Sequence, residues 1–225
     1  MGAELLGVVA LSAASAVIQS VKETAMKLIP IAAVLALTLS GIAQAQQGVA
    51  DVVQREANQQ RRIAEGLHSG QLSVREAGRL EREAQQIEMD LARALADGRA
   101  FPREQDRIAD QQQNLGQELR NLKHDSANTD PNEVSSRRLA EVVQQSANQQ
   151  ERIARGLQSG ELSNEQAGRL LEGQSRVSAM LADSTGDGYV GGAEQGAIRD
   201  MQRRQEQRIY ARSRDDRHND HDYRR

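Results

Sequence analysis

The chain contains the same stretch twice. Residues 52–80, VVQREANQQRRIAEGLHSGQLSVREAGRL, align with residues 142–170, VVQQSANQQERIARGLQSGELSNEQAGRL, at an offset of 90 without a gap, and 20 of 29 positions are identical. The register continues downstream: Asp97-Gly98 matches Asp187-Gly188, Glu104 matches Glu194 and Ile108 matches Ile198. A repeat of this length means one structural module present in two copies. The joint between them is the turn-rich stretch His124 to Asn132. A shorter period lies inside each copy, because Gly70 to Gly98 and Gly160 to Gly188 are both 28 residues apart. Each copy therefore carries two turns flanked by longer elements.

Those elements are helices. Ala77, Leu80, Ala84, Ile87, Leu91 and Ala94 recur at alternating steps of three and four. Ile108, Gln112, Leu115, Leu119 and Leu122 follow the same rule. That spacing puts them on one helical seam. No segment alternates with the period of a strand. Three helices per copy are predicted, at 48–68, 73–95 and 102–123, then at 133–157, 163–182 and 191–212. The expected fold is all-α: two tandem copies of a three-helix unit, at 46–125 and 133–212, arranged as elongated hairpins or a bundle, with a charged tail at 213–225.

Residues 26–45, MKLIPIAAVLALTLSGIAQA, have the pattern of an export signal. Lys27 precedes an apolar run from Leu28 to Leu39, and Ala43-Gln44-Ala45 offers small residues for cleavage after Ala45. The run is short for a membrane span. The expectation is a periplasmic or secreted chain that starts at Met26, with 1–25 a mis-assigned start or an unstructured leader. The mature part has about one Leu, Ile, Val or Phe in every six residues, which suits slender helices with narrow seams better than one wide core. A formal net charge of −3 gives no bulk attraction to nucleic acid, and three Tyr and one Phe leave little for base stacking. Without Cys there are no disulfides, zinc ribbons or thiol chemistry.

The glycine turns admit two readings. In one they are helix punctuation. Gly70 closes a helix in the left-handed conformation, Leu72 staples the next, and Ser73 caps it with Glu76 completing a capping box. Gly160, Leu162, Ser163 and Gln166 repeat the arrangement. Asp130-Pro131 with Glu133 marks another helix start.

In the other reading the fourth turn is an ion loop. DSTGDGYVGGAE, Asp183 to Glu194, resembles the twelve-residue EF-hand loop. The resemblance implies Ca²⁺ held by Asp183, Thr185 and Asp187 at positions 1, 3 and 5, the carbonyl of Tyr189 at 7 and both oxygens of Glu194 at 12. Gly188 stands at the bend, and Val190 is the apolar residue that would pair with Leu162 of the third turn. With three carboxylates and an uncharged Thr, binding is expected to be weak, about 10⁻⁴–10⁻³ M.

The other turns are degenerate at the same positions and are expected to be ion-free. The first has Glu65, Leu67, Ser69 and Glu76, the second Arg93, Leu95, Asp97 and Glu104, and the third Arg155, Leu157, Ser159 and Gln166. The frame SG-x-L-S-x-x-E/Q also resembles that of uncharacterised bacterial exported helical proteins. LSNEQ at 162–166 is similar to the L-T-x-x-Q motif of periplasmic stress chaperones and heavy-metal sensors.

His218 and His221, among Asp216, Asp220 and Asp222, have a spacing that holds a transition metal if helical, but a frayed tail is the expected reading. His68 and His124 are read as helix-end cations. Carboxylates such as Glu81 and Glu83, beside Arg82, read as a solvated face. No motif for nucleophilic, phosphate-cradling or zinc-protease chemistry occurs. The leading expectation is a non-enzymatic, calcium-binding helical protein, structural or sensory, with a divalent cation and a protein partner or second copy as its partners. The alternatives are a stress chaperone or metal sensor, and a spacer without ligand.

Overall fold

The computed structural model describes residues 47–96, 102–125 and 133–222. The expectations for residues 1–45, for Asp97-Gly98, for Asp130-Pro131 and for the side chains of His218 and His221 fall outside the described residues. Six helices follow one another among the described residues: α1 (47–68), α2 (Val74–Leu95), α3 (Pro102–Asp125), α4 (Val134–Ser159), α5 (Asn164–Ser184) and α6 (Gly192–Asp222). All belong to one compact unit, Ala45–Arg225. No strand occurs among the described residues, and none of their helices is long and apolar enough to cross a membrane. The predicted spans hold closely, except that α6 continues past 212 to Asp222.

Helix ends follow the local sequence. The Glu76 amide donates to Ser73 Oγ at 3.3 Å while the Ser73 amide donates to Glu76 Oε2 at 2.8 Å. Ser163 and Gln166 repeat this at 3.2 and 2.7 Å. Each box satisfies two amides that the first helical turn leaves unbonded. Gly70 and Gly160 sit at φ 72° and 76°, where a side chain is strained. Nothing lies within 4 Å of the space a Gly160 side chain would enter, so the cost there is purely conformational. Gly160→Ala is expected to destabilise the chain by about 1 kcal/mol. Ser163→Ala should cost about 1 kcal/mol through the lost cap. Urea unfolding of both variants checks these values.

The helices form two three-helix units, α1–α3 and α4–α6, that pack against each other side by side. Within each unit the same hydrogen bonds recur at the 90-residue offset. Gln59 Nε2 donates to the Gln112 carbonyl at 2.5 Å, and Gln149 to the Gln202 carbonyl at 2.7 Å. Gln112 donates in turn to the Val52 carbonyl at 2.9 Å, and Gln202 to the Val142 carbonyl at 2.6 Å. These buried amides lock the first and third helix of each unit in register.

The units are related by an approximate two-fold rotation. α2 and α5 run antiparallel: Arg75 Nη2, at the start of α2, donates to the Asp187 carbonyl beyond the end of α5 at 3.0 Å. Gly78 lies under Thr185, and Gly168 lies against Leu95. At the repeat offset Gly78 corresponds to Gly168 and Leu95 to Thr185, so the two contacts are one contact made twice. That is the signature of an isologous interface. Arg61 meets Glu151, its own counterpart, at 2.6 Å. A residue facing its counterpart lies on the axis, where a dimer of identical chains would set like charge against like. Fusion into one chain permits Arg opposite Glu.

This arrangement corrects three expectations. Of the two arrangements expected, hairpins or a bundle, the units form the bundle, and one continuous apolar core reaching from Val49 to Ile209 takes the place of the expected narrow seams. α2 is buried on two sides because it packs on its own unit and on α5. Glu81, expected on a solvated face, is therefore fully buried. The third and fourth turns do not pair, because they bound opposite ends of α5. Its 21 residues hold Leu162 and Val190 about 30 Å apart.

Candidate functional site

The fourth turn begins where α5 ends at Ser184 and finishes where α6 begins at Gly192. Gly188 has φ 86°, as the sharp bend requires. The expected ligands are placed as follows. Asp183, Asp187, Tyr189 and Glu194 are exposed, while Thr185 is buried. The Thr185 hydroxyl donates to the Ala182 carbonyl at 2.7 Å and faces Gly78 of α2, so it closes the helix rather than facing the loop. Asp187 Oδ1 accepts the Tyr189 amide at 2.9 Å, and Glu194 Oε2 accepts the Gly191 amide at 2.7 Å, a cap on α6. The Val190 amide donates to Ser135 Oγ at 2.5 Å instead of to a second loop. Arg138 donates to the Val190 carbonyl at 3.3 Å.

As a test of fit for Ca²⁺, this geometry offers carboxylates and a left-handed bend. However, the position-3 oxygen points away, and among the described residues no three His, Asp or Glu are grouped to hold a metal ion. Three side-chain oxygens of the loop, on Thr185, Asp187 and Glu194, already serve the backbone.

A second cluster lies in the core of the first unit and was not legible in the sequence. Glu56 of α1 and Glu81 and Glu88 of α2 are each at most 1 % exposed. Gln112 Nε2 donates to Glu56 Oε2 at 3.3 Å, Gln60 Nε2 to Glu81 Oε2 at 3.1 Å, and Gln150 Nε2 of α4 to Glu88 Oε1 at 2.5 Å. Ser178, the counterpart of Glu88, stands beside it and with Gln150 favours its charged form, although its Oγ lacks hydrogen-bond geometry. Burial raises the Glu56 carboxyl to about 8, opposed by Gln112 and reinforced by the charge on Glu81. Burial likewise raises Glu81 to about 8, and holds Glu88 well above the usual carboxylate range together with Glu56 and Glu81.

Burial thus favours the neutral form of all three acids. A protonated carboxyl has an O–H to donate, and the amide oxygens of Gln60, Gln112 and Gln150 are buried without a partner. In the second unit the corresponding residues are Ser146, Leu171 and Ser178, so the acid cluster belongs to one copy only. The signal for it was the position of Glu81, one residue after the seam position Leu80. A single-face reading of α2 hides that signal.

The described residues contain no cluster of catalytic character. No family model, no curated protein and no solved structure matches this chain.

Proposed function

We propose that the chain acts as a non-enzymatic helical scaffold, with rigidity that does not depend on a bound ion. The observation that carries this reading is the use of the fourth turn's own oxygens: Thr185, Asp187 and Glu194 cap backbone groups as Ser69 and Glu76 do at the first turn and Ser159 and Gln166 at the third. Export, on the leader pattern of residues 26–45, is part of the proposal and is tested by N-terminal sequencing of the secreted or periplasmic protein. Client binding by a stress chaperone has less support. The large exposed hydrophobics among the described residues are Val134, Tyr189 and Tyr210, little surface for an unfolded chain.

Calcium binding is the second reading. It is favoured by the exposed carboxylates of Asp183, Asp187 and Glu194 around a left-handed Gly188, with helix ends where an ion loop would have them. Ligation requires Thr185 to leave α2 and Glu194 to release the Gly191 amide. Thermal unfolding with Ca²⁺ and with chelator separates the two readings. A site with Kd of about 10⁻⁴ M would gain about 2.7 kcal/mol at about 10 mM Ca²⁺. The scaffold reading expects the same midpoint in both. A midpoint that rises by several degrees with Ca²⁺, and fails to rise in Glu194→Gln, would replace it with the calcium reading.

A further inference from the structure

The duplication makes each unit a reference for the other, and one groove differs between them in a way that points to a ligand. In both units a groove runs between the first and third helix. In the second unit it is lined by Glu141, Arg199, Arg203 and Glu206, and its guanidinium groups are matched internally. Arg199 pairs with Glu141 at 2.5 Å, Arg203 with Asp200, and Arg152 with Glu206.

In the first unit the groove has a volume of about 390 Å³ and is lined by Arg55, Arg62 and Arg120, with Asp110 as its one carboxylate. None of these three arginines makes an ion pair among the described residues, and all reach solvent. Arg62 corresponds to Arg152. The residue corresponding to Glu206 is Gly116. The second unit thus supplies a carboxylate to its arginine from the third helix, and the first unit leaves that place open. The opening is real space: a Cβ built on Gly116 would meet only Gln59 Nε2 at 3.4 Å and Arg120 Nη1 at 3.8 Å.

From this missing partner we infer that the α1–α3 groove binds a carboxylate from outside the chain, seated on Arg62 where Glu206 sits on Arg152 in the second unit, with Arg55 and Arg120 on either side. Guanidinium groups suit the task, because their planar donors match a carboxylate with two parallel hydrogen bonds. The carboxylate can come from a small dicarboxylic acid or from the side chains of an acidic peptide. Its chemistry at Arg62 is the same in either case. Because the groove is open to solvent, binding should weaken as salt is raised.

The test is calorimetric titration of the full chain with glutarate and, separately, with a glutamate-rich decapeptide. Saturable binding of either supports the inference. Response to the peptide alone identifies an acidic segment as the source, and response to both identifies a free acid as sufficient. Gly116→Glu transplants the second unit's internal partner and should reduce affinity at least tenfold without lowering the melting temperature. Arg62→Gln should reduce affinity by a similar factor through loss of the charge. Absence of saturable binding by both probes would overturn the inference, as would wild-type affinity in both variants.

Discussion

Raising the pH from about 5 to about 8 is expected to destabilise this protein steeply, opposite to the behaviour of a chain held by carboxylate ion pairs. The cause is the buried trio of Glu56, Glu81 and Glu88. In the unfolded chain each has an ordinary pKa near 4.5, whereas burial raises Glu56 and Glu81 to about 8 and Glu88 in the same direction. Between those values the folded state binds more protons than the unfolded state, so stability falls as pH rises. Their contribution is complete below the unfolded pKa and is lost as pH passes through the folded one. Each fully buried carboxyl gives a slope of about 1.4 kcal/mol per pH unit within the window. Glu83, raised to about 7 chiefly by partial burial and then by Glu118, adds a smaller effect of the same sign.

The measurement is urea unfolding across the window, on the native chain and on a triple variant, Glu56→Gln, Glu81→Gln and Glu88→Gln. Glutamine keeps the shape of the protonated acid and removes the titration. The variant should show a much flatter profile and exceed the native chain in stability at about pH 8. A native profile that is level, or that rises with pH, would show that these carboxyls are not held neutral.

Gly78→Leu should be the most damaging single substitution at the join between units. A Cβ at Gly78 would lie 2.7 Å from Thr185 Cβ and closer still to its hydroxyl, and Thr185 is itself buried. A leucine there must push α2 and α5 apart, at a cost of about 3 kcal/mol or more. Gly168→Leu, at the counterpart position, meets Leu95 Cβ at 3.1 Å and the Ala92 carbonyl at 3.2 Å and should also be destabilising. Gly196, on the exposed face of α6 with nothing within 4 Å, is the control. There Gly196→Ala should stabilise the chain by about 0.5–1 kcal/mol, since only helix propensity changes. If Gly78→Leu unfolds at the same urea concentration as the native chain, the close crossing of α2 and α5 is not what joins the units.

The helices, their starts and the repeat were legible because they rest on local rules. Ser73 and Ser163 cap because a serine followed three residues later by Glu or Gln satisfies two amides wherever it occurs. Ala77, Leu80 and Ala84 mark a buried seam because the helical period is fixed. The candidate ion loop was legible only as spacing. The residues from Asp183 to Glu194 have the right order, but order does not decide whether the Thr185 hydroxyl faces a cation or the Ala182 carbonyl. The neighbour on that side, Gly78, lies more than a hundred residues earlier.

The sequence by itself determined what short-range chemistry can determine: a duplicated, all-helical chain with defined corners. The tertiary structure decided which faces of those helices are inside. It set α2 antiparallel to α5 about a two-fold axis, buried Glu81 and Glu88 where a helix read alone would expose them, and left Arg62 without the carboxylate that its counterpart Arg152 has in Glu206. The physical reason is that a helix period identifies a face but not the number of neighbours it meets, and burial, charge state and unmatched donors all depend on that number.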